Sequence, residues 1–431
     1  MNSSSAEIET QDTAESAEIN LVMDHIGRML KRVESTPSSG HCIYRVPKNI
    51  RKINEEAYTP RVVSIGPFHY GNERLQSMEV HKLSYLEKLI QRENMRLVDY
   101  VRLIKQQEEE IRQCYAETIE FESHIFVTMI LIDAGFIIEL LLRFRLPEIG
   151  EQDEPLLYKP WLINDIHHDL ILLENQLPFF VLKAFFKLTF DSYPEFPSLL
   201  EVTLYFFIKY NSQNKIPNSE VRHFTDLVRA LHLPSKRLPQ NVGEFKILCS
   251  ATELHEAGVK FEVGSSRCLL DINFSNGVLR IPCFDLEDNT VSLIRNLMAL
   301  EVCHYPHDFY IIDYIILMDY LINTSKDVDL LIQNGIFRNR LADSSAVATF
   351  FNNLCTHITL SDSYNFNYSR LCDSLNRYHK VSWHKWKAIF KRDYFGSPWR
   401  IASTIAAVIF LVLTSIQTIC SVLSLQGVKL V

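Results

Sequence analysis

Apolar and polar positions recur at helical spacing over most of this chain and at strand spacing over short stretches. In "NLVMDHIGRMLKRVE", Ile26, Met29, Leu30 and Val33 share one face, which predicts a short amphipathic helix ended by "STPSSG". "CIYRVP" and "PRVVSIGPF" are β-branched runs bounded by Pro and Gly and predict strands. From Gln76 to about Arg145 the pattern is helical with dense charge, as in "EKLIQRENMRLVDYVRLIKQQEEEIRQ". A loop rich in Glu and Pro, residues 147–160, ends that block. "LINDIHHDLILLENQLPFFVLKAFFKL" opens a second helical region reaching about Leu231, overlapped by a polar, Pro-interspersed linker over 210–245. "VKFEVG" and "CLLDINFSNGVLRIPCFDL" predict a strand and a hairpin turning at Asn276-Gly277. Helices resume from Thr290 to about Leu360. No internal repeat interrupts this order. The fold class is α+β and mainly α-helical: a large helical domain with a small β-sheet or hairpin, plus one C-terminal transmembrane helix.

That last element follows from residues 401–428, which are 28 consecutive uncharged positions. As a helix they extend about 42 Å, more than the ~30 Å of a bilayer's hydrocarbon core. Thirteen of the first 25 are Ile, Leu, Val or Phe. Their summed insertion energy, about -4 to -8 kcal/mol, outweighs the scattered Ser, Thr and Gln417. Two other apolar stretches carry internal acids: "IFVTMILIDAGFIIELLL" has Asp133 and Glu139, and "FYIIDYIILMDYLIN" has Asp313 and Asp319. Each central acid costs about 2.5–3.5 kcal/mol in a bilayer, so these predict buried helices of the folded part.

The flanks of the span predict its orientation. Lys380, Lys385, Lys387, Lys391, Arg392 and Arg400 precede it against the single acid Asp393, and Lys429 follows it. By the positive-inside rule the large N-terminal part is cytosolic, at the plasma membrane or an endomembrane. Trp383, Trp386, Tyr394, Phe395 and Trp399 interleave with those cations, as suits a segment meeting lipid headgroups. The first 20 residues hold five acids, no base and no apolar core, which predicts a disordered tail and argues against a signal peptide. The expected organisation is residues 1–40 as acidic tail and short helix, 41–395 as the main domain, and 396–431 as the anchor. This is tail-anchor architecture.

Composition narrows the function. The chain has 431 residues, 47% hydrophobic and 22% charged, enough for a substantial core. Its formal net charge of -8 argues against a nucleic-acid partner. The nine cysteines form no CxxC pair, which predicts reduced thiols rather than a disulfide framework or zinc ribbon.

Several segments resemble one plant family, the domain of unknown function 247. "YRVPKNIRKINEEAYTPRVVSIGPFHYGNERLQSMEVHKLSYL" is similar to its opening. "MILIDAGFIIELL", "DLILLENQLPFFVL", "ATELHEAGVKF", "RNLMALE" and "LMDYLINTSKDVDLL" follow in the family's order, and "SPWRIASTIAAVIFLVLTSIQT" resembles its terminal membrane segment. The resemblance spans roughly 42–425 and implies a land-plant membrane protein. No enzymatic activity defines the family, so it carries over no catalytic residues. Some grass members are associated with pollen-side self-incompatibility.

Three clusters could carry chemistry. Glu301, Cys303, His304, His307 and Asp308 are zinc-ligand types, but a second pair at structural-zinc spacing is missing, and the cluster reads as a polar loop after a helix. His167, His168 and Asp169 read as polar residues near a helix N-terminus, since adjacent histidines point apart on a helix. Glu174, Asn175 and Gln176 interrupt an apolar run before Pro178 and read as a buried polar network closing a helix end. Gly66 and Gly71 lack GxGxxG or P-loop spacing. No catalytic, cofactor-binding or metal-binding residue is assigned and no cofactor is expected. Sequons at Asn273, Asn323 and Asn367 stay unmodified in a cytosolic domain. The expected function is a non-enzymatic, membrane-anchored interaction or recognition protein, whose partners are the bilayer and another protein. The alternative is a membrane-anchored hydrolase using His304 or His307 with a nearby carboxylate.

Overall fold

The computed structural model describes residues 22–27, 40–92, 96–147, 156, 159–190, 195–235, 247–341, 343–360, 364–380 and 398–427. The acidic tail, most of the first predicted helix (helical over 22–27) and the basic, aromatic segment around Lys385 lie outside the described residues. The chain is mainly helical with small sheets. It forms two compact units: unit 1 comprises 1–47, 58–208 and 217–227, and unit 2 comprises 48–57, 209–216 and 228–431.

Unit 1 is built around one helix. The helical block predicted to run from Gln76 to Arg145 divides into α1 (Glu79–Arg92), α2 (Leu97–Gln113) and α3 (Ser123–Arg145). Between α2 and α3 the chain reverses, and Arg112 holds the reversal by donating to the carbonyls of Ile119 (2.6 Å) and Phe121 (2.8 Å). Helix α3 is apolar all round and packs against both α1 and α2, the expected fate of a helix with no polar face. Gly135 permits close approach, because a Cβ there would lie 2.4 Å from Leu86 Cδ1 on α1. Helices α4 (Pro160–Asp169), α5 (Phe179–Phe190) and α6 (Leu199–Phe206) follow. Pro160 starts α4 at its first turn, and the Ser198–Glu201 capping box starts α6.

The two strands predicted near the N-terminus do not form. "CIYRVP" contributes an isolated bridge, Ile43 to Tyr115, and "PRVVSIGPF" is extended without a strand partner. The β-branched pattern is satisfied by burial of Val63 and Ile65, while side chains rather than a neighbouring strand take up the backbone groups. The predicted linker over 210–245 contains α7 (Phe224–His232), with Phe224, Leu227, Val228 and Leu231 buried at helical spacing. That periodicity outweighs the flanking prolines.

Unit 2 contains α8 (Ala251–Glu256), α9 (Asp288–His304), α10 (Ile311–Leu321), α11 (Ser325–Gln333), α12 (Ser344–Leu354) and α13 (Ser369–Lys380). Strand β1 (Lys260–Gly264) runs parallel to β3 (Val278–Pro282), and β2 (Asn273–Ser275) pairs antiparallel with β3. The predicted hairpin turns at Asn276 and Gly277, both at positive φ (52° and 77°), as a primed two-residue turn requires. A second pair joins β4 (Phe284–Leu286) to β5 (Phe337–Asn339) in parallel. The last helix is α14 (Pro398–Gly427).

Candidate functional site

The segment Arg61–Gly66 is held in place almost entirely by side chains. Asp169, the last residue of α4, accepts the amides of Arg61 (2.8 Å) and Val62 (2.7 Å) and, on the oxygen it offers Val62, that of Val63 (2.9 Å). Asn175 accepts from Ile65 N–H (2.7 Å) and donates to Val63 O and Asp169 O, each at 3.0 Å. Asp133 on α3 accepts from Gly66 N–H at 2.8 Å. Side-chain acceptors thus do the work of a missing β-partner, since buried amides left unpaired would each cost about 1–3 kcal/mol.

The neighbouring residues clamp further segments. Glu174 accepts from Val46 N–H (2.8 Å) and lies 3.5 Å from His69 Nε2. Gln176 donates to Leu170 O (2.8 Å) and Leu172 O (2.7 Å) and accepts from Phe224 N–H (2.9 Å). Each residue of Glu174-Asn175-Gln176 therefore ties a different stretch of backbone, and all three form the buried polar network expected from the sequence. The position of His167-His168-Asp169 is corrected: they occupy the last turn of α4, because Pro160 begins that helix, and all three are buried. His167 stacks on Phe206 at 3.8 Å, and His168 Nδ1 lies 3.0 Å from Asp169 Oδ1.

Lys82 on α1 completes the arrangement. Its ammonium donates to Ser64 O (2.9 Å) and Glu79 Oε1 (2.8 Å) and pairs with Asp133 Oδ1 (2.5 Å). The ammonium thus makes two hydrogen bonds and one buried ion pair. Burial works to lower the Lys82 pKa, but Asp133 and Glu79 outweigh it and hold the group above its ordinary value. Lys82 is a fixed cation, not a base or nucleophile. Glu79 and Ser64 also line a small open cleft of about 250 Å³ with Tyr70, Asn72, Leu75 and Gln76. The cleft offers hydroxyl, amide and carboxylate groups, and none of these lining residues is a histidine or cysteine that could activate a nucleophile. Sequence reasoning missed Lys82, which nothing distinguishes among the many charges of its helix. The signal was its counterpart: an acid in the middle of the apolar α3 needs a buried cation.

In unit 2 the cluster around Glu301 is also structural. Glu301 lies on α9 and is buried, rather than in a polar loop after a helix. Its carboxylate accepts from Arg229 Nε (2.9 Å) and from the backbone amides of Tyr310 (3.1 Å), Ile311 (3.1 Å) and Ile312 (3.0 Å). An acid at the start of α10 suits the amides and positive pole of a helix N-terminus. Arg229 also donates to Asp308 O and packs over the Tyr305 ring at 3.9 Å. His304 ends α9 edge-on to Tyr305, and His307 is exposed. Among the described residues no group of three His, Cys, Asp or Glu side chains is placed to hold a metal.

These two units and the terminal apolar helix define a mainly helical α+β protein whose buried polar clusters organise backbone. The chain belongs to a plant family of unknown function, DUF247, whose family model matches residues 43–413. It is 27% identical to the UPF0481 protein At3g47200 of Arabidopsis thaliana, over 91% of this chain and 88% of that protein. It is 23% identical to the putative UPF0481 protein At3g02645 of the same plant, over 89% of this chain and 90% of that one. No solved structure matches the chain.

Proposed function

We propose that this protein is a membrane-anchored, non-enzymatic interaction protein that presents its folded units to another protein at the cytosolic face of a membrane. The observation that carries the reading is the contrast between its two long apolar helices. Helix α3 has mean hydropathy 2.4 over its most apolar window, 83% of which is buried inside the fold. Residues Ala402–Ser421 of α14 have mean hydropathy 2.0, and none of that window is buried. A helix of this hydropathy with none of its apolar window covered by the fold needs hydrocarbon around it. The basic residues from Lys380 to Arg400 favour the orientation with the folded units in the cytosol. The polar clusters favour binding over catalysis, because Glu301, Asp133 and Asp169 are committed to backbone amides and cations. The finer reading, recognition at cell contacts such as pollen self-incompatibility, rests on the family resemblance. Proximity labelling in plant cells, comparing the full chain with one ending at Ser397, tests the proposal. Partners enriched by the full chain at one membrane support it. Identical soluble neighbours for both forms overturn it.

A further inference from the structure

Helix α14 is not uniformly apolar. Ser403, Ala407, Phe410, Thr414, Gln417 and Ser421 recur at alternating intervals of four and three residues. At 3.6 residues per turn they fall within an arc of roughly 80°. Ile405, Ile409, Val412, Ile416 and Ile419 occupy the opposite side. Two hydroxyls on the seam are satisfied within the helix: Thr414 donates to Phe410 O (2.7 Å) and Ser421 to Gln417 O (2.8 Å). Gln417 is different. Its amide has two N–H donors and a carbonyl, and no hydrogen-bond partner among the described residues.

Its depth is fixed by the sequence. A span of about 20 residues taken anywhere within 401–428 includes Gln417, so the amide enters the hydrocarbon in every placement. An unpaired amide there is costly, and helices in membranes associate where small residues allow close approach and polar side chains bond across. We propose that two copies of this chain pair in the membrane along this seam, with the two Gln417 amides hydrogen-bonded to each other. This rests on the reading of α14 as a membrane anchor. A second copy is the occupant that fits. All copies insert with the same orientation, and a two-fold axis along the seam brings each amide to its counterpart at the same depth. An amide both donates and accepts, so the pair is self-complementary. The spacing of 3.5 residues is that of a left-handed helix pair.

The test uses the full chain in microsomes, in a Cys420→Ser background. Membranes are first extracted with carbonate and the pellet is then oxidised. Thr414→Cys, on the seam, should give a covalent dimer, and Val412→Cys, on the opposite side, should not. Fluorescence energy transfer between labelled full-length copies in vesicles should show Gln417→Leu weakening the pair by roughly 3- to 15-fold, with Gln417→Asn retaining it. Equal cross-linking from both positions, none from either, an undiminished pair with Gln417→Leu, or cross-links to a different polypeptide alone would each overturn the pairing. Loss of the chain from the carbonate pellet would overturn the anchor itself, an outcome distinct from a monomer that stays in the membrane.

Discussion

Lys82 and Asp133 meet 2.5 Å apart inside unit 1, each with 1% of its side chain exposed. The pair joins α1 to α3 and orders the backbone between Ser64 and Gly66 from both sides. Removing Asp133 leaves the buried Lys82 ammonium with only the partly exposed Glu79 as counter-charge and strands the Gly66 amide, and breaking such a buried pair costs about 3–5 kcal/mol. Asp133→Ala should therefore lower stability by that amount in urea unfolding of the chain ending at Ser397. The double change Lys82→Met and Asp133→Leu should recover a large part of the loss, because an apolar pair needs no desolvation. Equal losses for the single and double variants would show that the pair is not coupled.

Asp169 makes the second prediction. Asp169→Ala would strand the amides of Arg61, Val62 and Val63. At about 1–3 kcal/mol per unsatisfied group the loss should reach roughly 3 kcal/mol or more. Asp169→Asn keeps an acceptor oxygen and should cost less. Amide hydrogen exchange separates a local effect from a global one: protection should fall first at Val62 and Val63. Uniform loss across unit 1 would contradict a clamp acting on this segment.

A glycine in the same segment gives a sharper steric test. Gly66 sits at φ +69°, and a Cβ there would lie 2.6 Å from the carbonyl oxygen of Gln176. Both the conformation and the contact oppose a side chain. Gly66→Ala should lower the thermal midpoint of the chain ending at Ser397 by more than Gly71→Ala. Gly71 shares the positive φ, but a Cβ there meets nothing within 4 Å. Equal effects would mean that the contact with Gln176 matters little.

How much of this was legible beforehand depended on range. Local signals were readable: the Asn276-Gly277 hairpin follows from turn chemistry, and the burial of α3 and α10 follows from their internal acids. Glu174-Asn175-Gln176 announced a buried polar network because polar residues in an apolar run must be satisfied. Their partners were hidden. Asp169 serves Val62 and Val63 across more than a hundred residues, a distance at which periodicity carries no information. The same long-range bonds explain why "RVVSIG" looked like a strand: its composition suits extended backbone, but its hydrogen bonds go to side chains.

Unit 2 should respond to pH through Asp313. Burial pushes its carboxyl up to about 8, against the Asn367 amide that donates to it, while Glu301 and Asp308 add to the rise. The folded value lies above the unfolded one of about 3.9, so the folded state binds the extra proton between them. The contribution of this group is full below about pH 4 and is lost as pH rises through about 8. Asp313→Asn mimics the protonated form and keeps an acceptor for Asn367. Urea midpoints of the chain ending at Ser397 should fall less from pH 5 to pH 8 in this variant than in the unaltered form. A parallel decline in both would remove Asp313 as the cause.

The last prediction concerns which apolar helix meets lipid. By hydropathy alone α3, at 2.4, would be chosen over α14, at 2.0. Burial reverses the order, because α3 is covered by its neighbours and its acids are paired with Lys82 and Arg143. Extracting α3 into a bilayer would break the pair with Lys82 and carry Asp133 and Glu139 into hydrocarbon, at about 2.5–3.5 kcal/mol for each acid near the centre. The Glu139–Arg143 pair lies within α3 and moves with it. Helix α14 carries no such cost, and its exposed Val408, Phe410, Leu411 and Ile419 gain from insertion. Truncation after Ser397 should therefore move the chain from the carbonate-resistant pellet to the soluble fraction, with its folded units intact by circular dichroism. Replacing residues 402–421 with a polar linker should do the same. A truncated chain that stays in the pellet would mean that α3, with Asp133 and Glu139, enters the membrane.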